Sequence, residues 1–209
     1  MDIGILGLLL FIAVLIGAYL IGNILPAVLI GKIYGIDIKH EGSGNAGTTN
    51  ALRVLGKKAA VITLLIDISK GIIGVNIGYL AAMAPFLTGW WQDNLAFFCA
   101  VAVFAGHIWP VFFKFQGGKG VATAFGAIVA ISPALGFSLL AIVAVVVLLT
   151  RRMSAGSVIG ASSAPFLAYL WIPPFFPYAC IMVSIVLYKH KANIQRLMKG
   201  EEPKLNFKK

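Results

Sequence analysis

Long apolar stretches separated by short basic segments restrict the folds open to this sequence. Residues 3–30 contain no charged side chain, although one transmembrane helix needs only about 20 apolar residues. In the whole chain of 209 residues, 60% are hydrophobic and 11% are charged, and the mean hydropathy is +0.94. Water-soluble domains do not have this composition. We therefore predict an all-α polytopic membrane protein.

Basic residues at the ends of the apolar stretches predict how the chain crosses the membrane. Residues 59–113, 121–150 and 154–188 are each flanked by Lys or Arg and contain turn residues near the middle. Because Lys and Arg are retained on the cytoplasmic side, each stretch is expected to cross twice. With residues 3–30 as a first helix, this predicts about seven transmembrane helices, some of them short. The N-terminus is then outside and the C-terminus is cytoplasmic.

The positive charge favours partners that carry phosphate. The formal net charge is +10, and in a membrane protein these charges lie in short loops at the membrane surface. We expect contacts with anionic lipid headgroups and phosphate-bearing substrates, and no nucleic acid. Cys99 and Cys180 lie inside apolar stretches and predict no disulfide framework. The few acidic residues are scattered, so no metal site is expected. The sequence also leads us to expect no cofactor and no obligate protein partner.

The first basic segment contains a loop rich in glycine and polar donors. Gly42, Gly44 and Gly47 fall within six residues, a spacing that lets successive backbone N–H groups point at an anion. Hydroxyl and guanidinium donors follow in the same segment: Ser43, Thr48, Thr49 and Arg53. We predict a phosphate-binding loop here in preference to a flexible linker.

Two nucleotide-binding motifs are similar to this loop but do not fit its context. Gly42, Gly44 and Gly47 match the dinucleotide fingerprint, and Asp67 follows about 20 residues later. However, a membrane helix precedes the loop in place of the required strand, and Asp67 falls within an apolar stretch. The loop also approaches a nucleotide P-loop, but Thr48 occupies the position of the essential lysine. We expect neither dinucleotide binding nor ATP hydrolysis.

A second glycine-rich segment precedes residues 121–150. Three glycines surround one lysine in it: Gly117, Gly118, Lys119 and Gly120. Flexible backbone with one positive charge at the start of a helix is typical of an anion site. We predict a second phosphate site, or the other half of the first. His107, shortly before this segment, is expected to be a hydrogen-bonded structural residue at the membrane interface.

Two pairs of polar residues are spaced as neighbours on a helix. Asp67 and Lys70 are one helical turn apart in an apolar stretch and predict a buried ion pair, with a role in substrate contact left open. His190 and Asn193 are also three residues apart, in the basic C-terminal segment. A solvated juxtamembrane helix accounts for the lysines of that segment. It accounts less well for His190 and Asn193, which would share one face beside the membrane.

Three motifs, in order along the chain, resemble those of one bacterial enzyme family. They are Gly-Ser-Gly-Asn-Ala-Gly-Thr-Thr-Asn-x-x-Arg, Gly-His-x-x-Pro-Val-Phe-x-x-Phe-x-Gly-Gly-Lys-Gly-Val-Ala-Thr and His-x-x-Asn-Ile-x-Arg-Leu. On these motifs the chain resembles the bacterial acyl-phosphate:glycerol-3-phosphate acyltransferases, the PlsY family. Ala46 and Thr48 stand where the family pattern leads us to expect Ile and Ala, and Pro203 follows Glu202.

The resemblance implies a reaction and a set of site residues. The reaction is acyl transfer from acyl phosphate to the 1-hydroxyl of glycerol-3-phosphate, which yields lysophosphatidic acid and phosphate in the first step of phospholipid synthesis. The implied location is the bacterial cytoplasmic (inner) membrane, with the active site facing the cytoplasm. The implied catalytic residues are Lys119, His190, Asn193 and Glu202, with Glu201 as the alternative to Glu202. The implied phosphate-binding residues are Ser43, Gly44, Asn45, Gly47, Thr48, Arg53, Gly117, Gly118 and Gly120.

Direct attack on the donor is the expected mechanism. Acyl phosphate is a mixed anhydride with a good leaving group, and Ser43 does not lie in a Gly-x-Ser-x-Gly elbow. Either His190 or a substrate phosphate is expected to accept the hydroxyl proton.

A transporter of phosphate-bearing solutes is the alternative function, because broken helices and basic loops are also typical of transporters. A lipid-phosphate hydrolase would require a metal cluster or a histidine nucleophile. We treat residues 1–209 as a single acyltransferase domain.

Overall fold

The computed structural model describes residues 4–205 of the chain. Within this range all regular structure is helical, with ten α-helices, two short 3-10 turns and no β-strand, so the all-α prediction is confirmed. The helices are α1 Ile5–Gly22, α2 Pro26–Ile33, α3 Thr48–Val54, α4 Lys57–Ala82, α5 Trp90–Ile108, α6 Val121–Ile131, α7 Pro133–Thr150, α8 Met153–Trp171, α9 Phe176–Lys189 and α10 Lys191–Met198. The 3-10 turns are Val111–Phe113 and Pro173–Phe175.

Four stretches of the described chain are long and apolar enough to cross a membrane. They are Ile5–Gly22, Lys57–Ala82, Trp90–Phe113 and Pro133–Thr150. Two other apolar stretches, Val121–Ile131 and Pro173–Lys189, are shorter. The presence of short apolar helices agrees with the sequence interpretation, whereas the number of about seven crossings and the orientation of the termini stay predictions.

The first apolar stretch is not one continuous helix. α1 ends at Gly22 and α2 begins at Pro26, so the prediction of a single helix over residues 3–30 is wrong. Pro26 has no backbone N–H, and its ring disfavours helical backbone at Leu25, whose φ and ψ are −110° and 86°. The break leaves the carbonyl of Ile24 without a helical partner, which becomes important in the buried cluster described below.

The chain divides into two compact units, one ending at Ile131 and the other beginning at Ser132. In the first unit, α4 packs against α1, α5 and α6. Glycine makes the contact between α4 and α6 possible, because a Cβ at Gly71 would collide with the carbonyl oxygen of Thr123, and a Cβ at Gly126 would collide with the α4 backbone. Such close approach of two backbones is typical of packed membrane helices.

The second unit is built around α8. α7 and α9 pack against α8, and the short α10 packs against both α8 and α9. Glycine again permits the closest approach, since a Cβ at Gly156 or Gly160 would collide with side chains of α7. This packing brings the start of α8 next to the C-terminal segment, because the backbone N–H of Leu205 donates to the carbonyl of Arg151 at 2.7 Å.

Candidate active site

Asn50 organises the first glycine-rich loop from the inside. Its side-chain oxygen accepts a hydrogen bond from the backbone N–H of Ser43 at 2.8 Å. Its amide nitrogen donates to the carbonyls of Ile38 at 3.1 Å and Glu41 at 3.0 Å. Gly42 passes over this side chain with φ +62°, and a Cβ there would collide with the Asn50 oxygen. The loop is therefore held in one shape by a buried amide, which the sequence interpretation missed although Asn50 lies inside the motif.

Some backbone N–H groups of this loop already donate hydrogen bonds within the loop. The N–H of Ser43 is bonded to Asn50, and the N–H of Gly44 donates to the carbonyl of Glu41 at 3.0 Å. The expected row of successive N–H groups facing an anion is therefore not present at these two residues. The side chains of Ser43, Thr48 and Arg53 remain as candidate donors in this loop.

The predicted phosphate-binding residues of the first loop are at different depths. Ser43, Gly44 and Arg53 are exposed, whereas Asn45, Gly47 and Thr48 are half-buried. The hydroxyl oxygen of Thr48 is buried and has no hydrogen-bond partner among the described residues. A buried hydroxyl without a partner is rare in folded proteins and indicates that a ligand or water completes its bonding.

The second glycine-rich loop folds back onto the end of α5. The N–H of Gly117 donates to the carbonyl of Ile108 at 3.1 Å, and that of Gly118 donates to the carbonyl of His107 at 3.2 Å. A Cβ at Gly118 would collide with His107 Nε2, and Gly120 has φ +80° and lies against the ring of Phe104. Glycine is therefore required by close packing at residue 118 and by a left-handed backbone at residue 120. The loop holds Lys119 in a half-buried position.

A buried polar cluster lies directly behind this second loop. Lys70 Nζ is 2.9 Å from Asp67 Oδ1, so the predicted ion pair is confirmed. The same ammonium is 2.8 Å from His107 Nδ1 and donates to the carbonyl of Ile24 at 2.6 Å. Asp67, Lys70 and His107 are each at most 3% exposed. One ammonium thus contacts the break between α1 and α2, a carboxylate of its own helix α4 and a histidine of α5.

His107 joins this cluster to the glycine loop. His107 Nδ1 lies 2.8 Å from Lys70 Nζ and 3.2 Å from Asp67 Oδ1, while its Nε2 faces Gly118. His107 is thus buried and hydrogen-bonded, as predicted for a structural residue, and its depth relative to the membrane interface stays a prediction. No local sequence pattern signals this contact, since Lys70 and His107 are 37 residues apart.

In the second unit, Glu202 is the centre of a polar network. Its Oε1 accepts hydrogen bonds from Ser154 Oγ and Asn193 Nδ2, both at 2.7 Å. Its Oε2 is bonded to Arg196 Nε at 2.7 Å. Glu202 is 6% exposed, whereas Glu201 is exposed, so the geometry favours Glu202 of the two alternatives. Ser154 and Arg196 were not singled out from the sequence.

Arg152 fixes the backbone around this carboxylate. Its Nε donates to the carbonyl of Glu202 at 3.1 Å, and its Nη2 donates to the carbonyl of Gly200 at 2.9 Å. Residues at the start of α8 therefore hold the C-terminal segment through both backbone and side chain. The short tail after α10 is structured because of these contacts.

His190 lies at the junction of α9 and α10 and is 3% exposed. Its Nδ1 is 2.8 Å from the carbonyl oxygen of Val186. A carbonyl only accepts hydrogen bonds, so Nδ1 carries the proton and a neutral ring has Nε2 as its acceptor. This is the tautomer that a general base using Nε2 requires.

Opposing effects act on the pKa of Glu202. Burial raises the pKa of this carboxyl group, but hydrogen bonds from Ser154, Asn193 and Arg196, together with the Arg196 charge, outweigh burial. The net result is a pKa below the ordinary glutamate value, so Glu202 is a carboxylate at neutral pH. Over residues 4–205, no group of three or more His, Cys, Asp and Glu side chains is placed to hold a metal ion.

Comparison with known proteins identifies the family of this chain. The sequence model of the family described as "Glycerol-3-phosphate acyltransferase" matches residues 12–200. A glycerol-3-phosphate acyltransferase of Clostridioides difficile (strain 630) is 41% identical over 201 residues, which cover 95% of this chain and 97% of the relative. One from Thermoanaerobacter sp. (strain X514) is 43% identical over 194 residues, covering 91% of this chain and 93% of the relative.

Two solved structures share the fold. The crystal structure of PlsY (YgiH), an integral membrane glycerol 3-phosphate acyltransferase, in its glycerol 3-phosphate form has a TM-score of 0.83 and 33% sequence identity, covering 94% of this chain and 96% of that chain. Its lysophosphatidic acid form has a TM-score of 0.81 and the same 33% identity, covering 94% of this chain and 95% of that chain. This chain is therefore an integral membrane protein that belongs to the glycerol-3-phosphate acyltransferase family.

Proposed function

We propose that this enzyme transfers a fatty acyl group from acyl phosphate to the 1-hydroxyl of glycerol-3-phosphate, releasing lysophosphatidic acid and inorganic phosphate. Family membership along nearly the whole chain is the observation that carries the proposal. By their titles, the two similar PlsY structures are a glycerol 3-phosphate form and a lysophosphatidic acid form. These are the acceptor and the product of the proposed reaction.

The two glycine-rich loops are proposed to hold the phosphate groups. In the first loop, the exposed Ser43 and Arg53 and the unpartnered hydroxyl of Thr48 are the donors that support this role. Asn45, Gly44 and Gly47 complete the loop and allow close approach of a ligand to its backbone. In the second loop, Lys119 is proposed to stabilise the negative charge that develops on the departing phosphate. Gly117, Gly118 and Gly120 position Lys119 by packing against α5.

The C-terminal residues are proposed to handle the hydroxyl proton. His190 has its proton on Nδ1, so Nε2 of the neutral ring is the base that removes the proton from the 1-hydroxyl. Asn193 and Glu202 are proposed to fix the shape of this segment and to contact the acceptor. A phosphate oxygen of the substrate is the alternative base.

Direct attack needs no acyl-enzyme. The 1-hydroxyl oxygen forms a bond to the carbonyl carbon of the donor, and the bond from that carbon to the phosphate oxygen breaks. The phosphate leaves with the electron pair of that bond, and the hydroxyl proton passes to the base. Proximity of the two bound substrates and stabilisation of the leaving phosphate supply the catalysis.

The proposed setting is the bacterial inner membrane, with the reaction at its cytoplasmic face. About seven crossings, an outer N-terminus and a cytoplasmic C-terminus keep nearly all Lys and Arg on one side. Residues 1–209 are proposed to act as a single acyltransferase domain without an obligate protein partner.

Product formation by the purified protein in liposomes tests the reaction. Glycerol-3-phosphate is supplied with either palmitoyl phosphate or palmitoyl-CoA, and lysophosphatidic acid and phosphate are measured. We expect product from acyl phosphate alone, with one phosphate released for each product molecule. Product from acyl-CoA alone would overturn the donor assignment, and an acyl-enzyme trapped by hydroxylamine would overturn direct attack.

Substitution of the proposed residues tests their roles. Lys119→Ala is expected to lower kcat by about 100-fold or more, because it removes charge stabilisation of the leaving group. His190→Ala is expected to lower kcat by a similar factor if His190 is the base. Near-normal turnover of His190→Ala beside an inactive Lys119→Ala would assign the proton to a substrate phosphate.

A further inference from the structure

A basic cleft lies beside the first loop and contains none of the proposed site residues. Its volume is about 640 Å³, within the range of about 300–1,000 Å³ that small-molecule sites occupy. α2, the loop that follows it and the turn after α5 form its walls. The lining residues are Val28, Lys32, Gly35, Ile36, Asp37, Lys39, Phe112, Phe113, Lys114 and Gln116.

Two lysines of this cleft are held around one aromatic ring. Lys32 Nζ is 5.9 Å and Lys39 Nζ is 5.5 Å from the centre of the Phe113 ring. Lys39 Nζ also donates to the Phe113 carbonyl at 3.4 Å. These contacts place two ammonium groups at the same wall, and Lys114 adds a third beside it.

The acidic side chain in the lining does not neutralise the lysines of the cleft. Asp37 is the acidic residue of the lining, and it is bonded to His40 Nδ1 at 2.9 Å and to the backbone N–H of Lys39 at 3.0 Å. Burial lowers the pKa of Lys39, the charge of Asp37 raises it, and the charges of Lys32 and Lys114 lower it. An anion in the cleft would relieve this repulsion between the lysines.

The surroundings of the cleft identify the kind of anion. Exposed apolar side chains stand next to the lining residues in the chain, with Ile33 79%, Phe112 72% and Phe115 57% exposed. Apolar side chains beside lysines are typical of a membrane interface, where lysine binds anionic headgroups. A phospholipid matches both the lysines and the apolar side chains of this surface. Its phosphate would contact the lysines while its acyl chains remain in the membrane.

We propose that this cleft binds the phosphate diester of an anionic phospholipid headgroup as a site separate from the proposed catalytic residues. The proposal does not rest on the proposed reaction. Its physical basis is the cleft volume, the two lysines around Phe113 with Lys114 in the same lining, and the apolar rim.

Lipid binding by the full-length protein tests this directly. Dioctanoyl phosphatidylglycerol is titrated against the purified protein in neutral detergent, and bound lipid is measured by native mass spectrometry. Lys39→Ala with Lys114→Ala is expected to weaken binding about 25-fold, from roughly fivefold for each lysine at an anionic surface. The matched control removes two exposed lysines outside the cleft, Lys57→Ala with Lys58→Ala, and is expected to bind as the wild type does.

Two further variants separate a lost charge from a damaged fold. Lys39→Arg with Lys114→Arg keeps both charges and is expected to retain most of the affinity. Asp37→Asn removes the negative charge of the lining and is expected to tighten binding, a gain that misfolding does not produce. Equal binding by the wild type and the Lys39→Ala, Lys114→Ala variant would overturn the proposal.

Two control ligands test which parts of the phospholipid the cleft recognises. Dioctanoyl phosphatidylcholine has the same chains but no net charge, and equal affinity for it would overturn the requirement for an anionic headgroup. Inorganic phosphate has the charge without the chains. Binding of inorganic phosphate as tightly as phosphatidylglycerol would show a site for free phosphate and overturn the lipid assignment.

Discussion

At the scale of single residues, Lys70 brings together buried polar groups from three parts of the first unit. Its ammonium lies within 2.6 Å of the Ile24 carbonyl, 2.8 Å of His107 Nδ1 and 2.9 Å of Asp67 Oδ1. A buried charge is very costly unless it is paired and hydrogen-bonded in this way. One residue thus connects a helix break, an ion pair and the histidine that contacts the second glycine loop.

Lys70→Met is expected to destabilise the protein by about 3–5 kcal/mol, because it leaves the Asp67 carboxylate buried without its ammonium partner, with His107 Nδ1 3.2 Å away. The midpoint of unfolding in detergent micelles measures this loss. The matched variant combines Lys70→Met with Asp67→Leu and is expected to lose less, since no uncompensated charge remains. A loss below about 1 kcal/mol for Lys70→Met alone would contradict this account of the cluster.

Order in the C-terminal segment is expected to depend on pH through Glu202. The pKa of its carboxyl group is below the ordinary value in the folded protein, so its contribution is present above that ordinary value. The contribution is lost as the pH falls through the folded-state pKa. Hydrogen exchange of residues 199–205 between pH 7 and pH 3 measures the transition.

Two glutamine variants serve as controls for this transition. Glu202→Gln removes the carboxylate that Ser154, Asn193 and Arg196 contact, costs about 1–3 kcal/mol and is expected to abolish the pH dependence. Glu201→Gln, at the exposed neighbour, is expected to change stability by less than about 0.5 kcal/mol. An unchanged transition in Glu202→Gln would assign it to another group.

At the scale of helices, glycine determines how closely α4 and α6 approach. Gly71 faces the Thr123 carbonyl, and the space for a Cβ is absent. Gly17 of α1, in contrast, has no atom within 4 Å of the position that a Cβ would take. Both glycines lie inside an α-helix, but only Gly17 has room for a methyl group.

Gly71→Ala is expected to destabilise the protein by about 1–3 kcal/mol, because the new methyl group separates two packed backbones. Gly17→Ala is expected to be neutral or slightly stabilising, since alanine is the better helix former and meets no neighbour. Thermal unfolding of both variants in the same detergent checks the contrast. Equal stability of the two variants would mean that α6 moves away from α4 at little cost.

Part of this architecture could be read from the sequence alone. The Asp67–Lys70 pair was predictable because residues three apart meet on any helix. Pro26 is itself a sequence signal for the helix break before it. The prediction of a single helix followed instead from the absence of charge in residues 3–30. The turns predicted inside residues 121–150 and 154–188 are confirmed, because α7 begins at Pro133 and a 3-10 turn begins at Pro173.

The tertiary partners of these residues could not be predicted in the same way. His107 meets Lys70 across 37 residues, and Ser154 meets Glu202 across 48. Neither spacing has a local signature, because both contacts depend on how separate helices pack. Asn50 lay inside a predicted motif, but its role required knowing which way its side chain turns.

At the scale of the whole molecule, charge is distributed along the chain in a way that defines a topology. The turn at residues 83–89 contains no Lys or Arg, whereas Lys57 and Lys58 stand at the start of α4. By the positive-inside rule we expect the start of α4 in the cytoplasm and the turn outside. α4 has 26 residues and is long enough for this crossing.

Labelling of single cysteines is expected to confirm that α4 crosses the membrane. In a background with Cys99 and Cys180 replaced by alanine, Thr88→Cys should react with an impermeant maleimide from outside intact cells. Lys57→Cys and Lys199→Cys should react only after the membrane is opened. Labelling of Thr88→Cys and Lys57→Cys from the same side would contradict the topology.

The hydrogen bond from Lys70 to Ile24 also constrains how the protein is made. The two residues are 46 positions apart, and a ribosome adding about 5–20 residues per second needs several seconds to synthesise that interval. During this time the Ile24 carbonyl has no partner from its own chain and must stay in contact with water or the translocon. We therefore expect the break between α1 and α2 to complete its hydrogen bonding only when α4 arrives.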